Sequence, residues 1–173
     1  MSEGRHGAVT LKGAPQTVLG EPLNVGDKAP DFKLVANDLS EVSLADSAGK
    51  VRLISVVPAI ETGICDAQTR RFNEEAASIG DKVVILTISA DETDVQQKWC
   101  AASGIPQVQM LSDHAELSFG DAYGTHVKEM RREQRSIFVV DAADTVRYVE
   151  YVPEIAQHPD YEAALTAVRN LTA

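Results

Sequence analysis

The chain has 173 residues, enough for one folded domain whose core forms without staples. Its 16 basic against 26 acidic residues leave a net charge of −10, which opposes nucleic-acid phosphates and anionic membranes unless a local basic patch overrides it. It has neither an early apolar leader nor an apolar run of about 18 residues, so the cytoplasm is the expected compartment, where two cysteines point to redox or catalytic chemistry rather than a permanent staple.

In chain order, residues 8–11 and 16–19 flank the turn-rich Lys12-Gly13-Ala14-Pro15, which predicts an N-terminal hairpin over about 8–20. After a loop over 22–30, residues 32–35 and 41–44 flank Asn37-Asp38-Leu39-Ser40, a second hairpin by the same turn chemistry. The β-branched runs VRLISVV (51–57) and VVILTIS (83–89) read as strands covered on both faces. Between them Ile64, Ala67, Phe72, Ala76 and Ile79 approximate one helical face, opposite Arg70, Arg71, Asn73, Glu74 and Glu75, so this is a βαβ unit. A second helix is predicted from Asp94 to about Ala102, started by Thr93 and stopped by Gly104 and Pro106. Residues 108–111 read as a weak strand, and 115–123 as a short helix ended by Gly124. The one basic cluster, KEMRREQR at 128–135, reads as a solvated loop or helix face. Residues 136–140 and 146–152 form a strand pair across Asp141-Ala142-Ala143-Asp144, and a last helix capped by Asp160 runs through Ala163, Leu165, Val168 and Leu171. The pattern is an α/β layered domain with a mixed sheet.

The stretch PAIETGIC at 58–65 carries the chemistry. Pro58 ends a strand because it cannot donate to a ladder, and Thr62 is the expected N-cap of the following helix, which puts Cys65 at the third helical position. Free backbone N–H groups and the positive end of the helix dipole favour an anion there. The thiolate is the nucleophilic form of cysteine, so Cys65 is the candidate nucleophile. On the residues alone the alternative is a small buried hydrophobe, with Pro58 and Thr62 serving only as strand stop and helix cap.

Pro58, Thr62 and Cys65 match the Pro-x-x-x-Thr-x-x-Cys motif of peroxiredoxins, and PAIETGICDAQTRRFN resembles the thiol peroxidase branch, the atypical two-cysteine peroxiredoxins. The likeness runs from about Gly13 to Thr172, through GDKAPDF, ISAD, KWC and PDYEAAL in the family's order. It implies a thioredoxin-like mixed sheet flanked by helices, with an N-terminal β-hairpin. It also implies that Cys65 is the peroxidatic cysteine, attacking hydrogen peroxide or an organic hydroperoxide and becoming a sulfenic acid. Thr62 then orients the peroxide, Pro58 shields the sulfur from water, and Cys100, in KWC, is the resolving cysteine that closes a Cys65–Cys100 disulfide. Thioredoxin is the implied reductant and a homodimer the implied assembly.

The family's arginine leads into a late strand, the place of Arg135 before SIFVVD, with Arg131 and Arg132 as close competitors. The preceding KEMRREQ is more charged than the family's loop. For Cys100 the alternative is a core thiol beside Trp99. The four histidines are scattered and C-x-x-C, G-x-x-x-x-G-K-[ST] and G-x-G-x-x-G are absent, so no metal or bound cofactor is expected. A redox-sensing module using the same cysteine pair, or an inert domain of this fold, are the rival readings.

Overall fold

A computed structural model describes residues 4–105 and 109–172. Three expectations, Pro106 as a helix stop, Val108 as a strand start and Ala76 on a buried face, lie outside what is described. No helix among the described residues is long and apolar enough to cross a membrane.

Two sheets share the strands. The larger has seven, in the order β11-β10-β5-β6-β7-β3-β4: β5 is Val51–Val56, β6 Val83–Ser89, β7 Met110–Ser112, β3 Lys33–Ala36, β4 Glu41–Ser43, β10 Ser136–Val140 and β11 Val146–Tyr151. The β5–β6 and β6–β7 pairs are parallel and the rest antiparallel, so the sheet is mixed as expected. Every residue of β5 is buried, which is why its sequence shows no alternation. On one face Leu53, Ile85, Ile137 and Val139 pack with Phe72 of α1 (Gly63–Ile79) and Leu165 and Val168 of α4 (Tyr161–Thr172). On the other, Ile54, Val56, Ile88 and Phe138 pack with Phe119 and Tyr123 of α3 (Ser118–Tyr123), whose rings stack at 4.2 Å.

The smaller sheet has the order β1-β2-β8-β9, with β1 Arg5–Leu11 and β2 Ala14–Leu19 forming the predicted hairpin. Its other half corrects the reading of the basic cluster. The first half of KEMRREQR, residues 128–131, is the solvated turn expected, linking β8 (His126–Val127) to β9 (Arg132–Glu133), but the second half is not: Glu133, Gln134 and Arg135 are buried. Two-residue strands are too short to display a period of two, and charged residues hide their burial.

Smaller corrections follow, two of them from polar side chains taking positions that patterning assigns to apolar ones. Along α1 the buried stripe is Cys65, Gln68, Thr69 and Phe72, while Ala67, placed on the inner face by spacing, is exposed. Helix α2 (Thr93–Ser103) has Glu92, not Thr93, at its N-cap position, without a side-chain cap, and Gly104 ends it at φ 76° as expected. Helix α3 starts at Ser118, three residues late, because the Asp113 carboxylate accepts the N–H groups of Phe119 and Gly120 at 3.1 and 2.9 Å. Strand β3 is shifted by one residue from the predicted hairpin and β4 ends one residue early, where residues 44–47 form a 3-10 turn.

Candidate active site

The loop 57–62 and the start of α1 lie at the carboxyl end of β5, the edge where α/β sheets place their sites. Thr62 occupies the N-cap position, since its carbonyl accepts the Asp66 N–H at 2.9 Å. Its hydroxyl does not cap the helix: it turns back to donate to the Ala59 carbonyl at 2.8 Å, leaving oxygen lone pairs free. The N–H groups of Gly63, Ile64 and Cys65 make no hydrogen bond among the described residues. Asp91 holds the loop from beneath, accepting the Ile60 N–H at 2.8 Å and the Ser89 hydroxyl at 2.7 Å.

Arg135 arrives by register. Ser136 of β10 pairs with Val56 of β5, so the residue before Ser136 stands opposite the chain end that feeds α1. Its guanidinium is 2% exposed and donates to Cys65 Sγ at 3.4 Å, to Gln68 Oε1 at 3.0 Å, and to the Ile155 carbonyl from Nε at 3.2 Å and Nη2 at 2.8 Å. No carboxylate pairs with it among the described residues. Its two competitors are engaged elsewhere: Arg132 binds Asp91 at 2.9 Å, and exposed Arg131 donates to the His114 carbonyl at 2.6 Å.

Cys65 has no exposed surface itself, but a cleft of about 440 Å³ is lined by its neighbours Pro58, Thr62, Ile64 and Arg135. Leu11, Met130 and Ile155 make much of the remaining wall apolar. Cys100 lies on α2 in the same apolar cluster as Cys65, with Val57, Ile60, Trp99 and Met110. Both cysteines are free thiols, and the Cys100 sulfur accepts from Asn37 Nδ2 at 3.3 Å.

Two groups escaped the sequence reading. Gln68 is fully buried, donating to Ser55 Oγ at 2.8 Å while its carbonyl oxygen receives Arg135. Its position three residues after Cys65, on the same helical face, was the available signal. Buried Glu133 and Asp113 interact where β9 meets the start of α3. Burial, then the Asp113 charge, pushes the Glu133 carboxyl well above the usual carboxylate range. Burial also raises Asp113, although the backbone N–H groups it accepts pull the other way.

A sulfur on a helix start, facing a buried guanidinium at the edge of this sheet, defines a thiol-based redox protein, and residues 24–165 match the Redoxin family. Over 162 residues the chain is 57% identical to the thiol peroxidase of Halalkalibacterium halodurans, covering 94% of this chain and 97% of that protein. It is 53% identical over 163 residues to the thiol peroxidase of Bacillus subtilis, covering 94% and 97%. The crystal structure of a peroxiredoxin-like protein from Aquifex aeolicus matches with a TM-score of 0.88 at 31% identity, over 97% of this chain and 99% of that one. The chain belongs to the thiol peroxidases of the redoxin family. The thioredoxin-like peroxiredoxin fold implied by the resemblance is the one found.

Proposed function

We propose that this peroxidase reduces hydroperoxides through Cys65, on the strength of one observation above the others: the buried Arg135 guanidinium, paired with no carboxylate among the described residues, donates to Cys65 Sγ at 3.4 Å. The thiolate attacks one peroxide oxygen, the O–O bond breaks and an S–O bond forms. The departing alkoxide or hydroxide takes a proton and leaves as alcohol or water, with Cys65 left as a sulfenic acid. Arg135 stabilises both the thiolate and the charge moving onto oxygen, and the free N–H groups of the first α1 turn add to it. The Thr62 hydroxyl, its hydrogen committed to Ala59, accepts the peroxide O–H and so fixes which oxygen faces the sulfur. Pro58 closes one wall of the cleft against water.

Cys100 then attacks the sulfenic sulfur. The S–O bond breaks, water leaves and a Cys65–Cys100 disulfide forms, which an external dithiol, thioredoxin by family likeness, reopens. A homodimer in the cytoplasm completes the reading. The test assays wild type, Cys65→Ser and Cys100→Ser with hydroperoxide and a thioredoxin system, recording intact mass. Cys65→Ser should lose all turnover, and Cys100→Ser should stall as sulfenic acid. Activity retained by Cys65→Ser overturns the mechanism, and normal thioredoxin-coupled turnover by Cys100→Ser overturns the resolving role.

A further inference from the structure

The residue after Cys65 and the residue before Cys100 are bound to each other. Trp99 Nε1 donates to Asp66 Oδ1 at 2.8 Å, joining α2 to the first turn of α1. The other oxygen of the same carboxylate takes Arg70 Nε at 2.8 Å. Arg70 closes the circuit twice, with its guanidinium 5.6 Å from the Trp99 ring centre and its Nη1 donating to the Ser103 carbonyl at 2.9 Å, the last residue of α2. Meanwhile the two sulfurs hydrogen-bond elsewhere, Cys65 to Arg135 and Cys100 to Asn37.

A disulfide needs the two sulfurs about 2 Å apart and the Cα atoms within about 7 Å. Both cysteines are free thiols in helices, and each sulfur hydrogen-bonds to its own partner, so forming the disulfide requires the sulfurs to leave those partners, which we take to open a helix turn. The turns that must open are the ones this circuit fastens. We propose that Asp66, Arg70 and Trp99 are positioning residues that act as a latch: its release sets how fast Cys100 reaches the oxidised Cys65. The latch therefore sets how much enzyme is lost to overoxidation. The proposal rests on the roles assigned above to the two cysteines.

While the latch is closed, the Cys65 sulfenic acid stays beside the cleft, open to a second hydroperoxide, whose O–O bond breaks as a second S–O bond forms to give the sulfinic acid and alcohol or water. Once it opens, Cys100 displaces the hydroxyl as water and the disulfide protects the sulfur. A tight latch favours the first outcome and a loose one the second.

The experiment mixes reduced wild type, Trp99→Phe and Asp66→Asn with hydrogen peroxide in stopped flow, and quantifies disulfide and sulfinic acid by intact mass. Trp99→Phe keeps a buried aromatic ring while removing the indole N–H donor and part of the ring that Arg70 covers, and thermal melting confirms that each variant folds. Disulfide formation should quicken about tenfold in both, the scale of one charge-assisted hydrogen bond, and the sulfinic share at high peroxide should fall. The first oxidation of Trp99→Phe should stay within about twofold of wild type, whereas a merely structural role would slow both steps. Trp99 is the chain's only tryptophan, so wild-type fluorescence reports latch release directly and should change at the rate of the second step. If wild type forms the disulfide but both variants resolve and overoxidise at the wild-type rate, the latch is overturned and the cysteine roles stand. If wild type forms no Cys65–Cys100 disulfide, both fall.

Discussion

Replacing Arg135 separates charge from geometry at the site. At 3.4 Å the guanidinium attracts a Cys65 thiolate by about 5 kcal/mol at an effective dielectric of about 20, before part of that is offset by desolvating the two ions. Arg135→Gln removes the charge altogether. By the cost typical of one preorganised donor to developing charge, and with thiolate support lost as well, its second-order rate with hydrogen peroxide should fall about a thousandfold. Arg135→Lys keeps a charge but not the planar fork. One ammonium cannot meet the Ile155 carbonyl, Gln68 Oε1 and the sulfur along the directions the guanidinium serves, so a loss of about ten- to a hundredfold is expected. Both variants leave a buried acceptor short of a partner, each costing about 1–3 kcal/mol, so thermal melts must accompany the kinetics. Single-turnover oxidation by stopped flow is the assay, because it isolates the first step from resolution and reductant. Arg131→Gln, altering an exposed side chain bound to carbonyls, is the control and should react as wild type. Folded Arg135→Gln and Arg135→Lys reacting within twofold of wild type would refute the reasoning.

Thr62→Val preserves shape but removes the oxygen that accepts the peroxide O–H, so the same rate should fall about ten- to a hundredfold with little change in melting, while Thr62→Ser recovers most of it. Equal rates for Thr62→Val and wild type would remove Thr62 from the chemistry. Glu133 gives a pH prediction whose sign follows from its raised folded-state value: unfolded, the carboxyl gives up its proton near 4.5, whereas folded it holds on well above that. Stability contributed by this group is therefore complete in mild acid and drains away as pH rises through the folded value. Glu133→Gln, which does not titrate, should flatten that decline in denaturant titrations between pH 5 and about 8.5. Identical slopes in variant and wild type would show that the buried carboxyl is not proton-bearing.

The parts of the fold legible in the sequence are those where local chemistry and tertiary demand agree. Strand β10 falls where its apolar run places it, Gly104 and Gly124 end helices at φ 76° and 74°, and Asp160 caps α4 by accepting the Ala163 N–H at 3.0 Å. Cys65 was legible for the same reason, because a helix start is a local feature. What stayed hidden is polar burial. Gln68 and Thr69 turn the inner face of α1, Asp113 delays α3, and Glu133 is a fully buried carboxyl that burial holds well above the usual carboxylate range. Gln68 and Glu133 fit the core through partners distant in sequence, Arg135 and Asp113, which no local pattern records, and Thr69 and Asp113 through backbone groups nearby that apolar patterning does not count. The latch is hidden in the same way, since Asp66, Arg70 and Trp99 look like ordinary surface and helix residues until α2 is laid beside α1.

The basic cluster makes the same point about the site itself. Of three arginines within five positions, Arg135 has the stronger claim in the sequence from its place before β10, with Arg131 and Arg132 as competitors, and the fold sorts them by counter-ion. Arg131 stays in solvent on carbonyl oxygens and Arg132 is neutralised by Asp91, which is already holding the Ile60 N–H of the cysteine loop. Arg135 alone is carried inside with neutral acceptors and no carboxylate. A buried guanidinium left in that condition is costly unless an anion completes it, and the one ionisable group it touches is Cys65. In the proposed mechanism that anion is the Cys65 thiolate, so the cysteine and the arginine each supply what the other's role needs. Moving Arg135 by one residue along β10 would reverse its face of the sheet and leave both groups uncompensated. That coupling is why register selects the functional arginine.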